Sequence, residues 1–176
     1  SRYRVDTTSH VHQSPTIPLI QSMQAGLITL PTGQMCTIAI CTYNGNNQED
    51  AIVLNRRSVD LGMFRVTTIK TYSCQEDSTQ SMARRSYDYS KLGPDGIVQV
   101  GAFVKENDVL VARYTSITIK KDKAIKDSRK DSSMIVAHDK GGFVDAVHVT
   151  RNIDGYLIVH VNIRRSRIPE MGGKLS

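Results

Sequence analysis

The sequence predicts a mainly β fold with a few short helices, and three stretches carry that expectation. Met35 to Cys41 is a near-continuous apolar run, too short for a helix and bounded by turn residues, which reads as a strand buried on both faces. Val66, Thr68, Lys70 and Tyr72 alternate with the residues between them, the pattern of a half-buried strand. Val144 to Val149 and Tyr156 to Ile163 are β-rich runs on either side of an Asp154-Gly155 step, a strong hairpin marker. Hydrophobic residues make up 39% of the 176, enough for a core in one domain or two small interleaved ones. With no Trp and 3 Phe, that core is aliphatic.

The remaining elements follow in chain order. His10 and His12 would share a face of a strand and read as surface histidines, since no third metal ligand lies near them in sequence. Ser14-Pro15 and Ile17-Pro18 favour extended backbone, and Leu19 to Ala25 is long enough for one or two helical turns before Gly26. Pro31-Thr32-Gly33 launches the apolar strand, and Asn44 to Asn47 ends it in a tight turn. Asn55 to Met63 reads as a short helix with Asn55 as N-cap and Gly62 at its end. Arg56 and Arg57 in its first turn fit a solvated end or a phosphate contact equally.

Cys74 to Tyr89 is polar and reads as a long surface excursion. Gly93-Pro94-Asp95-Gly96 marks a turn before a short strand at Ile97-Val98. Ala102 to Val104, the Lys105 to Asp108 turn and Val109 to Ala112 make a hairpin-like unit. Ile119 to Asp131 is charge-dense, the usual mark of a solvated loop, with a nucleic-acid contact as the sharper alternative. In the last run Val159, Val161 and Ile163 point one way, and His160, Asn162 and Arg164 the other.

Two stretches carry chemistry. Gln48, Glu49 and Asp50 emerge from the Asn-Gly turn, and Ala51 to Leu54 resumes an apolar run behind them. Carboxylates pinned between two buried strands are costly to keep charged unless a cation or hydrogen-bond donors face them. A capped turn whose backbone N–H groups satisfy both acids is the plainer reading. At the other end, Arg164-Arg165-Ser166-Arg167-Ile168-Pro169 leads into a Gly172-Gly173 turn presenting Lys174. Glycines let backbone approach a phosphate closely, and lysine brings a compact charge to it, although the spacing is not that of a P-loop.

Gly45-Asn46-Asn47-Gln48-Glu49-Asp50, followed by Ser58, Asp60, Gly62, Phe64 and Arg65, resembles a catalytic-core motif. It is that of the second-largest (β-type) subunit of multisubunit DNA-dependent RNA polymerases: an apolar strand, a G-Y-N-Q-E-D turn, another apolar strand and a short S-x-D-x-G-x-F-R helix. Asn46 stands where the family usually has an aromatic residue. The C-terminal segment is similar to the family's basic-I-P-x-x-G-D-K stretch, with Lys174 on its lysine and Gly173 in place of its acid. The likeness covers essentially the whole chain, with specific motifs at both ends.

The resemblance implies part of a double-psi β-barrel core with an inserted β-rich wall (flap). Residues 1–66 and 149–176 would belong to the hybrid-binding core, and 67–148 to the wall. It implies a subunit of a DNA-directed RNA polymerase, a nucleotidyltransferase, inactive as a fragment alone. The tight Mg2+ belongs to three aspartates of the family's largest (β′-type) subunit, and no D-x-D-x-D pattern occurs here. By the same resemblance Glu49 and Asp50 approach the second, nucleotide-borne Mg2+, partly through water, and Gln48 orients that pair. Lys174 stabilises phosphate charge at the growing end, while Arg164, Arg165 and Arg167 hold the RNA–DNA hybrid backbone. Implied partners are the largest subunit, other polymerase subunits, DNA template, RNA transcript and nucleoside triphosphates. A non-catalytic nucleic-acid-binding β-module is the alternative, and a structural β-protein with a basic surface is a third reading.

Composition agrees with these readings and sets bounds. A net charge of +6 and pI near 9.3 permit a polyanionic partner. Cys36, Cys41 and Cys74 form no C-x-x-C pair, so a zinc site or disulfide framework is not expected and a reducing intracellular setting, nucleus or cytoplasm, is. No apolar run approaches bilayer length and no signal-peptide pattern opens the chain, so no membrane partner is expected. The abrupt Ser1-Arg2-Tyr3-Arg4 start and Lys174-Leu175-Ser176 end fit a fragment of a longer protein.

Overall fold

A computed structural model describes residues 6–27, 30–76, 80–82, 89–121, 124–138 and 140–175. Within them the chain is mainly β, as expected, with antiparallel ladders in every register resolved. Strand β1 is Thr8–His12, and a single 3-10 turn covers Met23–Leu27. Helix α1 is Arg56–Asp60 and β2 is Val66–Gln75. Then come β3 (Gln80–Met82), β4 (Phe103–Val104) and β5 (Val109–Val111). Next are β6 (Arg113–Lys121), β7 (Ala124–Asp131) and β8 (Met134–Ile135). The last strands are β9 (Gly142–Arg151) and β10 (Leu157–Arg167). The sheets are ordered β1-β2-β10-β9-β4, β3-β6-β7 and β5-β8. None of the described helices is long and apolar enough to cross a membrane.

The chain divides into two compact units. The first comprises Ile69–Arg165 with the described residues up to Ser9, and it holds the core. Leu110, Val104, Val136, Val159, Val161 and Ile163 are at most 1% exposed there. The inward set on β10 is the one that alternation predicts, Val159, Val161 and Ile163. The β9–β10 hairpin closes through Asn152, whose side chain accepts from the N–H groups of Asp154 (3.0 Å) and Tyr156 (2.9 Å), with Gly155 at φ 88°. That is the turn the Asp-Gly step announces. Gly142 is needed for packing, because a Cβ there would run into the Arg164 carbonyl. The Gly93 to Gly96 turn also forms, closed by the Gly96 N–H on the Gly93 carbonyl at 3.1 Å.

Several expectations for this unit need correction. The Lys105 to Asp108 turn exists, but its flanks do not pair with each other: β4 pairs with β9, and β5 with β8. Ile97 and Val98 make isolated bridges rather than a strand. The polar stretch after Cys74 contains β3, which pairs with the start of β6; residues 77–79 and 83–88 of that stretch lie outside the described residues. The charged run expected as a loop is two paired strands, β6 and β7. Thr115, Ile117 and Ile119 supply a β-branched alternation that outweighs the charge.

The second unit, His10–Thr68 with Ser166 onward, is different. Val59 is its one buried apolar side chain among the described residues. The predicted strand at Met35 to Cys41 is irregular backbone, and it is exposed rather than buried, Ile38 at 76% and Ile40 at 99%. Ala51 to Leu54 is likewise irregular. The physical reason is that a strand needs a ladder partner, and among the described residues none pairs with either run. The helical turn expected over Leu19 to Ala25 forms at Met23–Leu27, with Gly26 inside it.

Candidate active site

The acid bend is built from two consecutive turns. Asn44 (φ 48°) and Gly45 (φ 73°) take the left-handed conformation that Asn and Gly tolerate best. Asn47 locks this first turn: its Oδ1 accepts from the Tyr43 N–H at 2.8 Å and its Nδ2 donates to the Cys41 carbonyl at 2.6 Å. The second turn runs Gln48 to Ala51, closed by the Ala51 N–H on the Gln48 carbonyl at 3.2 Å. Glu49 sits inside it at φ 55°, a conformation costing a non-glycine residue about 1–2 kcal/mol.

Gln48, Glu49 and Asp50 are all exposed. Burial between two strands therefore does not explain the pair, because water solvates both carboxylates. Among the described residues no three His, Cys, Asp or Glu side chains come together to hold a metal ion.

Downstream, α1 forms as the sequence predicts. Asn55 caps it, its Oδ1 accepting from the Ser58 N–H at 3.1 Å. Arg56 donates to Asp60 at 3.0 Å across one exposed helical turn, a pair worth little in stability. Gly62 takes φ 112° just after the helix, and Phe64 takes φ 54°. Gln34 holds that second left-handed residue: its Oε1 accepts from the Phe64 N–H at 2.8 Å, and its Nε2 donates to the Ser14 carbonyl at 2.9 Å. Sequence reasoning missed Gln34. A lone amide at the head of an apolar run gives no signal of which backbone it will clamp.

The C-terminal turn is Glu170 to Gly173, closed by the Gly173 N–H on the Glu170 carbonyl at 3.0 Å with Gly172 at φ 80°. It delivers Lys174 to solvent. Lys174 and the acid bend belong to the same unit, and among the described residues no hydrogen bond or ion pair joins them. A Cβ on Gly173 would lie 2.9 Å from the Glu170 carbonyl oxygen, closer than real Cβ contacts run.

The three arginines do not form one face. Strand alternation along β10 sets Arg165 and Arg167 opposite to Arg164. Arg164 is engaged by Asp145, Nε to Oδ1 at 3.0 Å, where a register shift in β9 interrupts the ladder. His10 Nδ1 lies 3.2 Å from the Thr68 hydroxyl.

Comparison with known proteins brings these features together. Residues 1–176 match the family described as RNA polymerase Rpb2, domain 6. The chain is 36% identical over 185 residues to a probable DNA-directed RNA polymerase II subunit RPB2 homolog of Invertebrate iridescent virus 3, covering 97% of this chain and 16% of that one. It is 33% identical over 194 residues to the DNA-directed RNA polymerase II subunit RPB2 of Encephalitozoon cuniculi (98% and 17%). It is also 33% identical over 193 residues to the DNA-directed RNA polymerase subunit Rpo2 of Sulfolobus acidocaldarius (98% and 17%). The chain thus spans about one sixth of the length of these curated relatives.

Proposed function

This chain belongs to the RNA polymerase Rpb2 family, matching its domain 6, and on that premise we propose that it forms part of the catalytic core of a DNA-directed RNA polymerase. In that enzyme, working with the largest subunit and others, it contributes Glu49 and Asp50 to nucleotide binding and Lys174 to the phosphates. Residues up to 66 and from 149 onward are its share of a double-psi barrel, and 67–148 is the wall. The observation that carries the reading is the bend itself: two adjacent exposed carboxylates, one in a strained left-handed conformation, preceding a correctly capped S-x-D-x-G-x-F-R helix. Strain of this kind persists where geometry matters to function.

The donor set suits a magnesium ion of one kind. Two carboxylates with no third ligand gathered beside them among the described residues fit an ion that keeps most of its water and is shared with a triphosphate. Glu49 and Asp50 would hold it there, and the ion would supply charge neutralisation for in-line phosphoryl transfer. Glu49 and Asp50 would face its bound water, Gln48 steadies the bend through its carbonyl, and Lys174 would meet phosphate charge. Arg165 and Arg167 contact the hybrid backbone without reading sequence, and Arg164 supports that strand through Asp145. The apolar side chains left exposed between Ile17 and Val53 are the surface that the rest of such a subunit covers.

A second reading has one observation in its favour. Gly173 replaces the family's acid in a turn with no room for a Cβ, which fits a nucleic-acid-binding module without catalysis. The test separates the two. In an assembled polymerase, Glu49→Ala with Asp50→Ala lowers the nucleotide-addition rate by about two to three powers of ten. Wild-type elongation by that variant refutes the catalytic assignment.

A further inference from the structure

Three steps along the chain place an Asn or Asp directly before a Gly: Asn44-Gly45, Asp95-Gly96 and Asp154-Gly155. In two of them hydrogen bonds lock the step. Asp95 Oδ1 accepts from the Ile97 N–H at 3.2 Å, and the Gly96 N–H donates to the Gly93 carbonyl at 3.1 Å. Asp154 Oδ2 accepts from Asn152 Nδ2 at 3.4 Å, and the Gly155 N–H donates to the Asn152 carbonyl at 3.0 Å. Asn44 and Gly45 are instead the exposed centre of the turn that the Asn46 N–H closes on the Tyr43 carbonyl at 2.9 Å. Among the described residues neither the Asn44 side-chain amide nor the Gly45 N–H has a hydrogen-bond partner.

The other asparagines lack this combination. Asn47, Asn55, Asn152 and Asn162 have their side chains engaged, by Tyr43 and Cys41, by Ser58, by Asp154 and Tyr156, and by Thr71 respectively. Asn46 and Asn107 precede Asn47 and Asp108, each of which carries a Cβ beside its backbone nitrogen. Glycine has none, and it reaches backbone conformations closed to other residues. A backbone N–H held in a turn yields its proton only when the turn opens, whereas an exposed free one meets solvent base directly.

We propose that Asn44 is a site of spontaneous deamidation. The Gly45 nitrogen, its proton lost to hydroxide, attacks Asn44 Cγ. That bond forms as the Cγ–Nδ2 bond breaks, and Nδ2 leaves as ammonia with a proton taken from water. Water then opens the resulting succinimide ring at either carbonyl and returns a proton to the Gly45 nitrogen. Opening at Cγ gives aspartate, opening at the backbone carbonyl gives isoaspartate, and nothing is oxidised or reduced. Either product lowers the net charge of +6 by one. Isoaspartate also adds a carbon to the backbone inside a tight turn that the Asn47 side chain ties to Tyr43 and Cys41, so that clamp no longer fits. This chemistry needs nothing from the acid pair and proceeds whether or not Glu49 and Asp50 meet a nucleotide.

The test incubates the full 176-residue chain near neutral pH, folded and in urea. Peptide mass spectrometry then reads each Asn and Asp, with fragmentation that separates isoaspartate from aspartate. In the folded chain residue 44 converts at least about tenfold faster than any other asparagine, a barrier lower by about 1.4 kcal/mol, and isoaspartate is among its products. Urea speeds residue 44 by less than about tenfold but releases isomerisation at Asp95 and Asp154, whose turn hydrogen bonds are then gone. Asn44→Gln, too long for the five-membered ring, removes the acidic species seen on cation exchange. A folded chain that keeps Asn44 intact while the unfolded chain converts it overturns the proposal. So does faster loss at Asn46 or Asn107 in the folded chain.

Discussion

Cys74 is 4% exposed in the core, and burial pushes its thiol up in pKa even though Arg113 nearby pulls the other way. Cys36 and Cys41 are exposed. A thiol must ionise to react, so a disulfide reagent should label two thiols per native chain rapidly, and the third only as fast as the core opens. One fast thiol would contradict the exposed course of residues 35–41, and three the burial of Cys74. At this scale the sequence is clearest where a residue's own backbone preference decides the outcome. Asn44 and Gly45 took the left-handed turn, and Asn55 took the cap. It is silent where a side chain serves a distant stretch: nothing local told that Gln34 would hold Phe64, or that Glu49 would adopt a positive φ.

At the level of elements, Asp131 shows how β7 is fastened. Burial works to raise its pKa, but hydrogen bonds from Ser133 and Tyr89 outweigh this and hold the carboxyl below its ordinary value. A depressed native pKa means that the ionised carboxylate adds stability above the unfolded value of about 3.9, lost as pH falls through the native one. Tyr89→Phe removes one donor, which should cost about 0.5–1.5 kcal/mol at pH 7. Urea midpoints of wild type and variant should converge at acid pH, once Asp131 is protonated in both. A gap that persists undiminished at pH 2 would mean that the tyrosine acts through packing instead. The β9–β10 hairpin was legible because the Asp154-Gly155 turn and the Val159, Val161, Ile163 alternation are local signals. The β6–β7 ribbon was not, because its charge masks a β-branched alternation. The pairing of β4 with β9 brings the Val104 carbonyl against Gly141, where a Cβ would lie 2.8 Å away, a contact between positions far apart in sequence.

Across the whole molecule, apolar burial is concentrated in the unit of Ile69–Arg165, while the unit bearing Glu49, Asp50 and Lys174 leaves much apolar surface in solvent. The mainly β class was readable from alternation and turns. Burial of Met35 to Cys41 was not, because an apolar run states only that it suits an interior and cannot name the strand that will cover it. A chain covering one sixth of its relatives' length is where that gap shows. The magnesium requirement of an assembled polymerase probes the acid bend without depending on that cover. With Glu49→Gln and Asp50→Asn together, the Mg2+ concentration giving half-maximal nucleotide addition should rise about 10–100-fold, while Lys174→Ala should slow addition and leave that concentration unmoved. A double variant that keeps the wild-type magnesium half-point, whatever its rate, would contradict the placement of those carboxylates beside the nucleotide's metal.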